Sequence, residues 1–99
     1  MITTGLIVRL EAKPGKDEEL AQFLRDGLPL VGDVPQTIAW FAVSAGAPSF
    51  VIFDVFTDEE GRQAHLGGPL AAALMERANE LLANPPEIEY VNVLAAKTP

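Results

Sequence analysis

The sequence predicts an α+β fold of the ferredoxin-like βαββαβ type: a four-stranded antiparallel sheet with its helices on one face. Three observations lead there. Apolar residues alternate at period two in four separate stretches, and two stretches with helical spacing fall between them. The second helical stretch is long and is broken by Gly67-Gly68-Pro69. The chain has 99 residues, 48% of them hydrophobic, which suits one domain over 1–99 with one core.

Residues 3–12 form the first predicted strand, with Leu6, Val8 and Leu10 on one face and Ile7, Arg9 and Glu11 on the other. Lys13-Pro14-Gly15-Lys16 is a turn. A helix starts near Asp17, with Leu20, Phe23, Leu24 and Leu28 along one face. Gly27, Pro29 and Gly32 erode its end, so 28–35 reads as a loop. Residues 36–44 are the second strand, with Ile38, Trp40 and Ala42 opposed to Ala39, Phe41 and Val43. Ala45-Gly46-Ala47-Pro48 is a hairpin connection. Residues 49–56 are the third strand, with Phe50, Ile52, Asp54 and Phe56 opposed to Val51, Phe53 and Val55. Thr57 and Glu60 fit a capping box, and a helix follows to about Leu66. Pro69 suits the first position of the next helix, which buries Leu70, Leu74, Leu81 and Leu82. Asn84-Pro85-Pro86 stops it, and 87–96 is the last strand.

Right-handed crossovers place both helical stretches on one side of the sheet. The two middle strands are nevertheless apolar on both faces. An uncovered second face would expose more apolar area than the roughly 300–600 Å² a monomer usually shows. A homodimer through that sheet face is the expected cover, and a monomer whose 28–35 loop folds over it is the alternative.

Composition narrows function. Net charge is −7 and the pI is near 4.5, which disfavours nucleic acid and anionic membrane surfaces. No apolar run reaches the length of a membrane span. The N-terminal stretch reads as a strand, not a signal peptide. Without cysteine there is no disulfide framework and no thiolate chemistry, which fits a cytoplasmic protein. A single histidine offers no metal cluster, and no phosphate-binding or dinucleotide glycine motif is present.

His65 is the first candidate for chemistry, because imidazole accepts a proton at neutral pH. It lies beside Gly67-Gly68, where backbone can approach a ligand closely. It could equally cap its helix or bond a neighbouring strand. Trp40 offers a flat wall for an aromatic substrate, although core or interface packing is the commoner use of such a residue. Tyr90 and Asn92 share a face of the last strand and either line a pocket or satisfy local backbone. Asp54 stands among Phe and Ile; an edge or turn-proximal salt bridge is expected, orientation of a base being the alternative. Arg62 precedes His65 by one helical turn and either binds a substrate anion or is solvated, as such arginines usually are.

The segments ITTGLIVRLEAKPGKDEELAQFL, FVIFDVFTDEEGRQAHL and EIEYVNVLAAK together resemble the antibiotic biosynthesis monooxygenase family of dimeric α+β barrels, over nearly the whole chain. The resemblance implies that fold and a homodimer. It also implies an oxygenase that uses no cofactor and acts on a quinol, anthrone-like or other small aromatic metabolite. His65 is the residue it carries over, as the helix histidine. The haem-degrading branch has an asparagine in the first strand and a tryptophan on the second helix. Residues 3–12 lack asparagine, position 65 is histidine, and the only tryptophan is Trp40. Two further readings stay open: a non-catalytic binding or stress-response module, and an isomerase of a small hydroxy-ketone with His65 as base.

Overall fold

The computed structural model describes residues 4–32 and 35–98. Its elements run β1 (Thr4–Glu11), α1 (Asp17–Asp26), α2 (Leu28–Gly32), β2 (Thr37–Ser44), β3 (Ser49–Phe56), α3 (Glu59–Leu66), α4 (Pro69–Leu81) and β4 (Glu87–Asn92). The strands form one antiparallel sheet in the order β2-β3-β1-β4. This is the expected α+β ferredoxin-like arrangement. The sheet of one chain is open, with β2 and β4 as edges, and is not a closed barrel.

The register defines the two faces. Across the sheet, Trp40, Asp54, Leu6 and Tyr90 lie in one row on the helix side. The next row brings Ala42, Ile52, Val8 and Ile88 together on the same side. The alternation expected in β1 and β3 is therefore the alternation observed. Leu10, Phe50 and Ile52 pack there against Leu20 and Leu24 of α1 and Leu74 and Leu81 of α4 to make the core. Gly15 and Gly46 both have positive φ, which lets the turns before α1 and between β2 and β3 close tightly.

Several boundaries differ from expectation. Residues 28–32 are a short helix, α2, because α1 ends at Gly27 and the chain turns to pack Val31 inward. Leu28 is consequently 58% exposed rather than part of the α1 stripe. The segment does not cover the second sheet face, since α2 contacts α1 and α4. The remainder of the expected 28–35 loop at Asp33 and Val34, and the expected strand start at Thr3, lie outside the described residues. A bulge between Thr37 and Ala39 breaks the alternation in β2, so Ile38 joins Ala39 and Phe41 instead of Trp40. β4 ends at Asn92, short of residue 96. The N-cap of α3 is Asp58, not Thr57: its extended backbone directs a carboxylate oxygen to the Gly61 N–H at 2.8 Å. No helix is long and apolar enough to cross a membrane among the described residues.

Candidate active site

The site begins with the inner face of α3. Gly61, Arg62 and His65 are its buried residues, spaced one turn apart from the Asp58 cap. That face carries no large apolar side chain, so α3 is not held down by a hydrophobic stripe. It is held by polar contacts and by close approach. A Cβ on Gly61 would stand 2.8 Å from the Gln36 Cβ, so only glycine allows the helix to sit so low over the start of β2.

Low seating brings His65 to the sheet. Its Nε2 lies 2.8 Å from Asp54 Oδ2, and its ring centroid is 5.3 Å from that of Phe56. Asp54 has 0% exposure on the interior strand β3. The expectation of an edge or turn-proximal salt bridge is corrected here: the carboxylate is central, because alternation in β3 points it at α3. Neither Asp54 oxygen receives a directed hydrogen bond among the described residues, so the contact with His65 is close but not aligned along a ring N–H. A buried carboxylate in this condition is unfavourable for the fold. Such groups concentrate where chemistry uses them, and catalytic hydrogen bonds commonly align only with substrate bound.

His65 also lines a cavity of about 140 Å³ between the sheet and the α3–α4 pair. Leu6, Val8, Ile52, Leu70 and Leu74 form its apolar walls, and His65 is its only titratable side chain. Met75 and Ile88, at 63% and 49% exposure, stand at its rim. An apolar void of about 150 Å³ takes a benzene-sized guest. The cavity therefore suits a single ring placed against an imidazole.

The other expected site residues are not brought to this cavity. Arg62 is neither solvated nor free for substrate. Its Nε and Nη2 donate to the two Glu59 carboxylate oxygens at 2.7 Å each, and its Nη1 donates to the Gly5 carbonyl at 3.2 Å. Its guanidinium lies 4.4 Å from the centroid of the Tyr90 ring. Arg62 thus pins α3 to β1 and β4, and Tyr90 serves that contact. The Glu59 hydrogen bond raises Arg62 further above its usual range, and in turn Arg62 holds Glu59 below the usual carboxylate value. Asn92 is exposed at the end of the β4 edge, opposite Thr4. Trp40 packs toward α1, against a different cavity. Asp54, for which orienting a base was the lesser of two sequence readings, is the residue His65 meets. The signal for it was present: a carboxylate on the apolar, helix-facing side of a strand. Among the described residues no three His, Asp or Glu side chains gather as a metal site.

Comparison with known proteins shows what the chain as a whole is similar to. A crystal structure of the NE2512 protein of unknown function from Nitrosomonas europaea is 55% identical, with a TM-score of 0.98 over 100% of this chain and 96% of that one. Rv0793 from Mycobacterium tuberculosis is 18% identical, with a TM-score of 0.84 over 97% and 99% of the two chains. A candidate antibiotic biosynthesis monooxygenase from Nitrosomonas europaea is 17% identical, with a TM-score of 0.81 over 93% and 90%. The last two show a shared fold. No protein-family model and no curated protein matches the chain.

Proposed function

The chain belongs to the same family as the Nitrosomonas europaea NE2512 protein, on the fold of the antibiotic biosynthesis monooxygenases, and we propose that it is a cofactor-independent monooxygenase of a small phenol or quinol. One observation carries this reading. The only histidine faces an apolar cavity of single-ring size and is backed by a fully buried carboxylate. The naming of structural neighbours as candidate monooxygenases supports the reaction class.

His65 takes the hydroxyl proton of an electron-rich phenol, and Asp54 offsets the positive charge that the imidazole gains. The phenolate passes one electron to dioxygen. The resulting radical pair joins to form a carbon–oxygen bond, and return of the proton gives a hydroperoxide. Loss of the ring C–H proton and of hydroxide, together one water, leaves a carbonyl. The sum is phenol plus O₂ to quinone plus water, with the substrate as sole reductant. The apolar walls keep bulk water from the phenolate and strengthen the His65–Asp54 interaction. A three-ring anthrone exceeds the cavity, so single-ring substrates are favoured.

The assembly we propose is a homodimer through the uncovered sheet face. The strongly negative charge supports a small-molecule partner over nucleic acid. Oxygen consumption by metal-free protein tests the activity, with substituted hydroquinones and phenols as substrates. Wild type should consume oxygen, and His65→Ala should lower the rate by about 10²–10⁴. Asp54→Asn should share much of that loss. Equal rates in wild type and His65→Ala, or no uptake with any single-ring substrate, would overturn the proposal.

A further inference from the structure

The His65 cavity adjoins a groove of about 350 Å³ that lies between the second half of α4 and residues 82–86. Met75 and Pro86 line both spaces. The cavity and the groove therefore meet at these two apolar side chains, one of them already placed at the cavity rim.

Ala78, Leu82, Ala83 and Pro85 supply the rest of the groove's apolar lining. Two of its polar side chains are engaged by the protein itself. Lys13 Nζ donates to the Asn79 carbonyl, and Asn84 Nδ2 donates to a Glu11 carboxylate oxygen at 2.7 Å. The floor is fixed before any ligand arrives. The Lys13 N–H donates to the Leu81 carbonyl at 2.9 Å and the Ala83 N–H to the Glu11 carbonyl at 2.8 Å, which ties the exit of α4 to the end of β1. Leu82 is buried at that junction, and Pro85-Pro86 restrict the backbone beyond it. A groove held in this way has little freedom left to lose when a ligand enters.

We propose that the two spaces form one extended site, for a single-ring phenol that carries an apolar chain. The identity of this ligand as substrate rests on the reading of His65 as the base. The ring lies in the His65 cavity with its hydroxyl toward the imidazole. A chain para to the hydroxyl leaves in the opposite direction, over Met75 and Pro86, and lies along Ala78, Leu82 and Ala83. Apolar surface is then removed from water on the chain and on the groove together. The ring carbon ortho to the hydroxyl keeps its C–H. The carbon–oxygen bond forms there, the same proton and hydroxide leave as one water, and the product is an ortho-quinone. A charged chain would give up hydration against Met75 and Pro86 with no partner at the crossing.

Binding is read by calorimetry without oxygen, so that it does not depend on turnover. Phenol and its 4-ethyl, 4-butyl and 4-hexyl derivatives are titrated into the purified full chain. Affinity should rise about two- to fourfold with each methylene that enters the groove. Ala83 is exposed, so Ala83→Glu puts a carboxylate into the groove without disturbing the core. That variant should bind phenol like wild type and lose about tenfold of the gain that the hexyl chain brings. Affinity that is flat along the series overturns the proposal. So does a gain that survives Ala83→Glu, or one that Phe41→Asp removes, which would place the chain on the second sheet face. The oxygenase reading stands through each of those results if simple phenols and hydroquinones still consume oxygen. Tighter binding along the series with no oxygen uptake upholds the extended site and overturns the oxidation alone.

Discussion

Asp54 and His65 can be weighed against each other at the level of single residues. Removing one member of a buried pair leaves the other uncompensated, at a cost of about 3–5 kcal/mol. Replacing both with apolar residues of similar volume is often neutral or stabilising, by about 1–4 kcal/mol. His65→Leu should therefore destabilise the chain in urea, and Asp54→Leu/His65→Leu should recover to wild type or above. A double variant weaker than His65→Leu alone would show that the pair holds the fold together instead of serving chemistry. Glu59 and Arg62 behave differently, because Glu59 is largely exposed. Its carboxylate is held below 4.5 by the Arg62 hydrogen bond. Depression of a carboxylate adds stability that is complete above the unfolded value and is lost as pH falls through the lower folded value. The melting-temperature gap between wild type and Glu59→Gln should thus be present at neutral pH and close below pH 4.5. The absence of a gap at neutral pH would mean that Arg62 is held by the Gly5 carbonyl and Tyr90 instead. Both members of the pair stood out in the sequence as a lone imidazole and a carboxylate among Phe and Ile. Their meeting was not legible, because they lie on different elements with no periodic relation.

The element that makes the meeting possible is α3. Its inner face is glycine, arginine and histidine, so hydrophobic periodicity could not reveal which side is buried. Its start was legible only as a region, since Thr57 fits a capping box while Asp58 supplies the cap actually formed. Gly61 sets the helix height. Alanine there meets the Gln36 Cβ at 2.8 Å and the Phe56 Cβ at 3.4 Å, and the loss should be about 1–3 kcal/mol despite alanine's better helix propensity. The lifted helix would also widen the His65–Asp54 contact, so activity should fall with stability. Gly32→Ala is the control: nothing lies within 4 Å of its Cβ position and its φ is not positive. That substitution should be neutral, or stabilising by about 0.4–1 kcal/mol. Equal effects of the two in denaturant melts would remove Gly61's role. The short α2 was hidden for a related reason: Gly27, Pro29 and Gly32 read as breakers, yet one turn of helix needs little propensity when Val31 is buried beneath it.

At the scale of the whole molecule the unresolved demand is the second sheet face. Phe41 and Val43 on β2 are 55% and 48% exposed there, beside Val51 and Phe53 of β3. The β1–β4 half of the same face is charged, with Arg9 and Glu89 paired to each other. Residues 93–98 border the apolar half without filling it, leaving a cavity of about 590 Å³ against Phe41, Phe53 and Val55. The alternation that buries Asp54 toward α3 is the same alternation that turns Val51 and Phe53 to the second face, so the site and that face come from one register. A second copy of the sheet would supply matching apolar surface in a two-fold, self-complementary contact. The chain should therefore sediment as a dimer at micromolar concentration. Phe41→Asp places a carboxylate where the two faces meet and adds a like charge across the axis, so it should shift the chain to monomer. Because Phe41 is exposed in one chain and lines neither the His65 cavity nor the Trp40 cavity, the monomer should stay folded by circular dichroism. Wild type that sediments as a monomer would show instead that the single chain tolerates this face in water.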